Sequence, residues 1–164
     1  MDVDLVNSSN GITSASLSGN SFNARGIADY YINEKFSGRA QVGYELFETD
    51  GTVADSSCSG ANTCVTEINY FAIEALGRYT LTGKKFRFWL GGGLGILHPL
   101  SKTSNAVVES SISTTFSIIG SLGIDYALNS KAYIPVWFSY NYLSPSDDVS
   151  ARFLNLNVGY AFKF

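Results

Sequence analysis

The stretch RFLNLNVGYAFKF, Arg152 to Phe164, decides the fold of this chain. From Leu154 onward every second residue is apolar, and the residues between them are small or polar. Alternation with a period of two predicts a β-strand whose two faces differ in chemistry. One face carries Tyr160, Phe162 and Phe164. A soluble sheet rarely ends with such a face uncovered, so we expect lipid to cover it.

The composition of the whole chain favours a sheet in a membrane. With 164 residues the chain has room for one domain, residues 1–164. Aromatic residues make up 14% and charged residues only 15%, against roughly 25% charged residues in a typical soluble domain. No apolar run of about 18 residues predicts a transmembrane helix. This composition suits a transmembrane β-barrel, in which half of each strand faces inward and the hydrophobic signal is weak.

The chain divides into alternating segments and polar connections. A faint strand is predicted at residues 2–7, and seven well-marked strands follow at 22–32, 37–48, 65–81, 86–97, 111–128, 132–143 and 154–164. Short turns alternate with long polar loops near residues 8–20, 50–64, 98–110 and 144–151, with a strand extended over Ile12 to Leu17 as the alternative within the first loop. Near Asn69 the alternation of apolar and polar residues changes phase, which predicts a β-bulge there. The sequence therefore predicts an all-β fold, an eight-stranded antiparallel up-and-down transmembrane β-barrel.

Eight charged residues fall on the predicted inward faces of these strands. They are Arg25, Asp29, Arg39, Glu45, Glu74, Arg78, Arg87 and Asp125. An isolated buried charge costs several kcal/mol, so we expect these four cations and four anions to pair. Eight strands enclose an interior just wide enough for side chains to fill. We therefore predict a plugged, ion-paired interior; a narrow gated conduit or a proton path is the alternative.

Aromatic residues and glycines carry a second set of expectations. Two girdles are predicted at the membrane interfaces: Tyr70, Phe71, Tyr140 and Tyr142 toward the loops, and Phe86, Tyr126 and Phe162 to Phe164 toward the turns.

The glycines at 91, 92, 93 and 95 either give room to the inward Trp89 and Trp137 or let a strand coil sharply. No helix is predicted after them, so they do not indicate a nucleotide site.

His98 is the one residue that suggests catalysis. Ser101, Ser104 and Glu109 follow it, and a His–Ser–acid group can activate a hydroxyl nucleophile. Outer-membrane lipid A deacylases resemble this in kind, with His and Ser two apart just before Asn-Ala. Here Ser104-Asn105-Ala106 matches the end of that motif, but His98 lies six residues before Ser104. We therefore predict an interfacial His and no enzyme activity.

Other binding chemistry has little support in the sequence. Cys58 and Cys64 lie six apart in a polar segment, which favours a small loop disulfide, with two free thiols as the alternative. A single His argues against a zinc site, and we predict no metal and no cofactor. The net charge of −3 and the absence of a basic stripe argue against nucleic acid as a partner.

The first residues, MDVDLVNSS, contain neither a basic region nor an apolar core of the kind that an export signal has. We interpret Met1 as an initiator that replaces a removed signal, because a protein that faces lipid in an outer membrane has to leave the cytosol. This interpretation is an expectation about processing.

The end of the chain, with Asn157, Gly159, Phe162 and Phe164, resembles the assembly signal of bacterial outer-membrane barrels. The whole layout is similar to the small eight-stranded family that includes the barrel of outer membrane protein A and the attachment/invasion barrels. The resemblance implies a location in the outer membrane of a Gram-negative bacterium, recognition by the barrel-assembly machinery, and lipopolysaccharide around the rim.

Members of that family differ in task, and fold does not choose among them. The expected role is structural or a surface interaction such as adhesion, through the loops, with a host or cell-surface ligand as a candidate partner. The alternatives are a narrow channel for small or hydrophobic molecules and a lipid A-modifying enzyme. A soluble ligand-binding barrel would bury apolar side chains in its interior. In this sequence the residues predicted to face inward are the polar ones.

Overall fold

The computed structural model of the chain describes residues 2–7, 12–51, 64–83, 85–105, 112–130, 132–146 and 149–162. Within these ranges every regular element is a strand. The strands are β1 (Asp2–Asn7), β2 (Ile12–Tyr31), β3 (Phe36–Gly51), β4 (Cys64–Thr82), β5 (Phe86–Ser104), β6 (Thr115–Ala127), β7 (Ala132–Ser146), β8 (Val149–Val158) and β9 (Ala161–Phe162).

The strands form one antiparallel sheet. Each strand from β1 to β7 pairs with the next along the chain, and β1 also pairs with β8. The two residues of β9 pair with β7, alongside β8. Short connections join β2 to β3, β4 to β5 and β6 to β7 at one end of the sheet, which we call the turn side. The opposite end is the loop side.

The two faces of the sheet have opposite chemistry. On β3, Arg39, Gln41 and Glu45 are buried, whereas Val42 and Tyr44 between them are exposed. The same alternation runs through the other strands wherever the burial of their side chains is described, and we call the polar, buried face the inner face. Large apolar side chains exposed on the outer face include Phe22, Ile73, Leu94, Phe116, Leu122, Phe138 and Leu154. Apolar residues outside and polar residues inside are what a sheet surrounded by lipid requires.

Several strands are longer than the alternation predicted. β2 begins at Ile12 and β5 continues to Ser104, so the loops predicted near 8–20 and 98–110 are in large part strand. β7 and β8 likewise extend into the loop predicted at 144–151, whereas β6 begins only at Thr115. Residues 52–63 of the loop predicted at 50–64 lie outside the described residues. Hydrophobic periodicity gives no signal where polar residues alternate with polar ones, although the backbone ladder forms regardless of hydrophobicity.

The predicted irregularity near Asn69 is present, but the extra residue lies on the neighbouring strand. The register between β4 and β5 shifts after Asn69, which pairs with Ser101, whereas Tyr70 pairs with Pro99. Leu100 of β5 is thus the bulged residue, next to a proline that has no N–H for the ladder. The alternation of β4 continues unbroken, so Tyr70 is buried on the inner face, and its assignment to the outer aromatic girdle was wrong.

The last strand, predicted as continuous over 154–164, is interrupted. β8 ends at Val158 and β9 begins at Ala161. Pro135 of β7 lies opposite the break and accepts a 3.0 Å hydrogen bond from the N–H of Gly159. Because Pro135 has no N–H to donate in return, the regular ladder stops there and resumes in the same register with Tyr133 opposite Ala161.

The inner tryptophans owe their space to a glycine that the sequence analysis did not single out. A Cβ on Gly123 would lie 2.6 Å from Trp137 Cβ and 2.7 Å from Trp89 Cζ2. The glycine run on β5 acts differently, because a Cβ on Gly93 would overlap the backbone of β4 at Ala75. That run therefore permits close approach of two strands, which is neither of the two explanations considered.

The room available for a Cβ differs between glycines, so alanine substitutions at two of them should change the free energy of unfolding by different amounts. We expect Gly93→Ala to lower the free energy of unfolding by about 1–3 kcal/mol, because the added carbon displaces the β4 backbone. Gly120→Ala is the matched control, since nothing lies within 4 Å of a Cβ there. The heat-modifiable mobility of the folded protein on gels, measured against temperature, compares the two. Equal transition temperatures would contradict the assigned role of Gly93.

Candidate functional site

Five charged side chains of the inner face meet near the turn side. We call them the turn-side cluster: Asp29, Arg39, Arg78, Arg87 and Asp125, one from each strand from β2 to β6. Arg39 donates to both carboxylate oxygens of Asp29, from Nε at 2.8 Å and from Nη2 at 2.9 Å. Arg78 bridges the carboxylates, donating at 2.6 Å to Oδ2 of Asp29 and at 2.6 Å to Oδ2 of Asp125. Arg87 Nη2 lies 3.7 Å from Asp125 Oδ2. The ion pairs thus connect five consecutive strands.

Tryptophan rings enclose the guanidinium groups of this cluster. The guanidinium carbon of Arg39 lies 5.1 Å from the ring centroid of Trp89 and 5.0 Å from that of Trp137. Arg78 lies 4.1 Å above the ring of Trp89. Both tryptophans are buried, so these cation–π contacts form where water is excluded and are stronger than they would be at an exposed surface.

Aromatic donors also complete the coordination of the two carboxylates. Trp89 Nε1 donates to Asp125 Oδ1 at 3.0 Å. The hydroxyl of Tyr133 on β7 donates to Asp29 Oδ2. Because both carboxylates are buried, these bonds offset part of the cost of removing them from water.

A second ionic group lies between the turn-side cluster and the loop side, and we call it the central cluster: Arg25, Glu45 and Glu74. Arg25 Nη2 lies 2.8 Å from Glu45 Oε2, and its Nη1 lies 2.6 Å from Glu74 Oε2. Asn155 Nδ2 on β8 donates to Glu45 Oε1 at 2.8 Å. β3 and β8 are not neighbours in the sheet, so this bond crosses the interior.

Toward the loop side the inner face becomes apolar. We call this layer the loop-side apolar cluster: Phe47, Tyr70, Ala72, Leu97, Leu143 and Phe153, all buried. The ring of Phe47 is in edge contact with Tyr70 and Phe153, at centroid distances of 5.6 Å and 4.8 Å. Edge-to-face packing of this kind is favourable.

The eight charged residues predicted to face inward all lie on the inner face, in seven ion pairs among the described residues. Their division is uneven, because the turn-side cluster has three cations with two anions and the central cluster has one cation with two anions. The sequence indicated which face each residue occupies but not which partner it takes.

Sequence reasoning missed the side chains that complete these clusters. Phe47 and Phe153 lie two residues from the inward Glu45 and Asn155, so the period of two, continued a step further, would have placed them inside. Tyr133 lies two residues before the buried Pro135 and is likewise inward. The contact between Tyr133 and Asp29 had no sequence signal, because it depends on how β7 faces β2.

The residues that suggested catalysis are not brought together. His98 is exposed on the outer face of β5, and its Nδ1 lies 2.7 Å from the hydroxyl of Thr114. Ser101 accepts a 2.6 Å hydrogen bond from Asn69, and the hydroxyl of Ser104 lies 2.7 Å from that of Thr66. Glu109 lies outside the described residues. His98 is thus within a strand and on the outer face, not at a strand end as predicted.

The structure describes some, but not all, of the residues predicted for the assembly signal and the disulfide. Asn157 is buried on the inner face and donates to Ser139 Oγ at 3.1 Å. Gly159 lies at the break after β8, and Phe162 pairs with Ala132. Phe164 lies outside the described residues, and so does Cys58, so the disulfide with Cys64 stays a prediction.

The paired interior predicts a large cost for removing one cation. We expect Arg39→Ala to lower the free energy of unfolding by about 3–5 kcal/mol, because it leaves the buried Asp29 without its bidentate partner. Arg152→Ala is the control, since Arg152 is exposed on the outer face. Urea unfolding of both variants in detergent or vesicles measures the difference. Equal stability of the two variants would show that the pair of Arg39 and Asp29 does not hold the fold together.

The described residues offer no alternative site for a metal ion or a helical anchor. Among them no group of three or more His, Cys, Asp or Glu side chains could hold a metal ion. In the same ranges no helix is long and apolar enough to cross a membrane.

Comparison with known proteins agrees with the geometry of the sheet. A search of curated proteins found no match to the chain. The model of the outer membrane protein beta-barrel domain matches residues 2–162, nearly the entire sequence. An antiparallel sheet with a polar inner face and an apolar outer face fits that description. The chain therefore belongs to the outer membrane protein beta-barrel domain family.

Proposed function

We propose that this protein is a closed eight-stranded barrel in the outer membrane of a Gram-negative bacterium, exported with a signal that is then removed. Its interior is plugged, and its role is structural or a surface interaction through its loops. The observation that carries the proposal is the set of seven ion pairs that occupy the inner face. A pore would instead keep that face hydrated and open.

Closure is supported by the register of the pairings. Ile27 of β2 has a partner on β3, that residue has a partner on β4, and so on through β8 and β1. The residue of β2 that is reached at the end of this circuit is Leu17, ten residues before Ile27. An offset of this size is the stagger that a closed barrel needs, and for eight strands it corresponds to a tilt of about 40–45°. Transmembrane barrels have strand tilts of about 35–45°.

The plug is supported by two barriers of different chemistry. An ion that enters from the turn side would have to separate buried ion pairs, at a cost of several kcal/mol for each uncompensated charge. Beyond the central cluster it would meet the loop-side apolar cluster, where its hydration is not replaced. We therefore propose that the folded barrel does not conduct.

The proposed partners follow from the outer face and the ends of the strands. The exposed apolar side chains contact outer-membrane lipid. Arg152 and Tyr142, which stack at 6.0 Å, lie toward the loop side, where lipopolysaccharide head groups would be. The segment from Asn157 to Phe164 would be recognised by the barrel-assembly machinery. The loops would contact a host or cell-surface ligand, and nucleic acid is not a proposed partner.

Single-channel recording in a planar bilayer tests the plug. Folded protein, identified by its heat-shifted gel band, is expected to show no conductance, because both barriers are intact. The double variant Phe47→Ala with Phe153→Ala is the comparison, since it removes one barrier and leaves the ion pairs. Steady conductance by the unmodified protein would overturn the plugged interior and favour transport.

A narrow channel is the second candidate, and two buried side chains favour it. Gln41 and Asn141 are almost fully buried, and among the described residues neither amide oxygen nor amide nitrogen has a hydrogen-bond partner. Unpaired polar groups of this kind are costly unless a polar ligand or water reaches them. They lie on β3 and β7 and would line the middle of a conducting path.

Enzymatic modification of lipid A is not proposed for this chain. The outer-face pair of His98 and Thr114 places a base beside a hydroxyl, but among the described residues no carboxylate hydrogen-bonds to His98 to orient the ring. We expect no release of acyl chains from lipid A by the folded protein. Release by the unmodified protein that is lost in His98→Ala, and retained in Ser101→Ala, would identify an enzyme and contradict this expectation.

A further inference from the structure

The charged residues outside the interior are divided unevenly between the two ends of the sheet. By their place in the sequence, five of the six lysines and one glutamate belong to the turn side: Lys35, Lys84, Lys85, Lys131, Lys163 and Glu34. Two cations, Lys102 and Arg152, belong to the loop side together with nine carboxylates: Asp2, Asp4, Glu48, Asp50, Asp55, Glu67, Glu109, Asp147 and Asp148. The turn side is therefore the basic end of a chain whose net charge is −3.

Two of the turn-side lysines, Lys35 and Lys85, lie within the described residues, and both are exposed. Neither forms an ion pair with another described residue. The ammonium nitrogen of Lys85 lies 5.4 Å from the ring centroid of Tyr126. Exposed cations without a carboxylate partner can take an anion from outside the chain.

Each of these two lysines directly precedes an aromatic pair at the edge of the outer face. The ring centroids of Phe36 and Tyr79 are 5.0 Å apart, and the same distance separates those of Phe86 and Tyr126. Aromatic rings at the end of a membrane-spanning sheet mark the level of the lipid head groups. The lysines at this edge therefore lie at the level of the lipid phosphates.

The backbone around Lys35 is held on both sides. Asn33 Oδ1 accepts hydrogen bonds from the N–H groups of Lys35 and Phe36, each at 2.9 Å. The carbonyl oxygen of Lys35 accepts a 2.7 Å bond from the N–H of Thr80 on β4. The base of the lysine side chain is thus fixed beside β4, which reduces the conformational entropy that binding an anion would cost.

An apolar groove on the outer face begins next to this turn. Phe36 and Tyr79 line its first part, which has a volume of about 300 Å³. Gly77 lines this part and also a second part of about 530 Å³, which continues along β3 and β4 past Ala40 and Ala75, away from the turn side. These three residues are exposed, so the groove opens toward the lipid.

We propose that Lys35 and this groove form a binding site for an anionic phospholipid. The phosphate lies at the ammonium group of Lys35, and one acyl chain follows the groove from Phe36 past Gly77. The inference rests on the proposed membrane barrel and names a lipid that the barrel binds. We call this the Lys35 site.

Two properties of the Lys35 site select its occupant. The excess of positive charge on the turn side favours a head group with net negative charge over a zwitterionic one, whose own cation offsets the phosphate. The groove favours a molecule with an acyl chain over a soluble anion, because its lining is apolar and it lies on the face that contacts hydrocarbon.

Native mass spectrometry of the folded protein in detergent tests the charge. Phosphatidylglycerol and phosphatidylcholine with identical acyl chains are added in equal amounts, and the bound lipids are compared. We expect phosphatidylglycerol to be preferred by at least about fivefold, and Lys35→Gln to lower this preference by about fivefold, the contribution of one lysine at an anionic surface. Lys35→Arg should retain the preference, because it keeps the charge.

The matched control is Arg152→Gln, which removes an exposed cation from the loop side and should leave the preference unchanged. Equal binding of the two lipids by the unmodified protein would overturn the proposal. An unchanged preference in folded Lys35→Gln would also overturn it, and so would an equal loss in Arg152→Gln.

A second pair of variants tests the groove. Gly77→Leu fills the groove where its two parts meet, and the backbone can accept the change because the nearest atom to a Cβ there is the oxygen of Gly92 at 3.9 Å. We expect it to lower phosphatidylglycerol binding by at least about threefold, through lost van der Waals contacts with the chain. Gly120→Leu is the control, since Gly120 is exposed outside the groove with nothing within 4 Å of a Cβ. Equal binding by the two variants would overturn the acyl-chain assignment.

Glycerol 3-phosphate distinguishes a lipid from a free anion, because it carries the phosphate without acyl chains. We expect no adduct with glycerol 3-phosphate and no displacement of phosphatidylglycerol at equal concentration. Displacement would identify Lys35 as part of a site for soluble anions and contradict the proposal.

Failure of the proposed function would give a different result. If the protein is not a membrane barrel, the unmodified chain and all variants will fail to float with phosphatidylcholine vesicles and will show no heat-shifted band. If only the lipid site is wrong, the proteins will float and shift, and phosphatidylglycerol and phosphatidylcholine will bind equally.

Discussion

The structure depends on the requirement that backbone N–H and C=O groups be paired wherever lipid replaces water. An antiparallel sheet pairs each strand with two neighbours, and the order of the strands from β1 to β8 and back to β1 provides those neighbours. Among the described residues the ladder departs from regular pairing at bulges, as at Leu100, and at a proline, as opposite Pro135.

Once the outer face is apolar, the inner face has to accommodate the charged and polar residues. Most of the charged side chains on that face are buried, so each charge depends on a specific partner. The bidentate pair of Arg39 and Asp29 and the bridge through Arg78 meet this need. Replacing one partner of such a pair leaves a buried charge uncompensated, which is strongly destabilising.

How far the sequence predicted the fold can be judged from particular residues. Alternation located the inward face of Arg39, Glu74 and Asp125 correctly, since a period of two is a property of the strand itself. It failed at the strand ends: β2 begins at Ile12 and β5 reaches Ser104, because polar alternation resembles a loop. It also misplaced Tyr70, because the bulge near Asn69 lies on the neighbouring strand.

The sequence by itself determined that this chain is a sheet with a lipid-facing side and a charged side, because each strand carries its own alternation. It also determined the residue types available to pair. Tertiary structure alone decided which charges meet, because the bonds of Tyr133 with Asp29 and of Asn155 with Glu45 join strands that are not adjacent in the sheet. It alone decided that Phe47, Tyr70 and Phe153 form one apolar layer. Those outcomes depend on register and on closure, which are properties of strands in combination and not of any one segment.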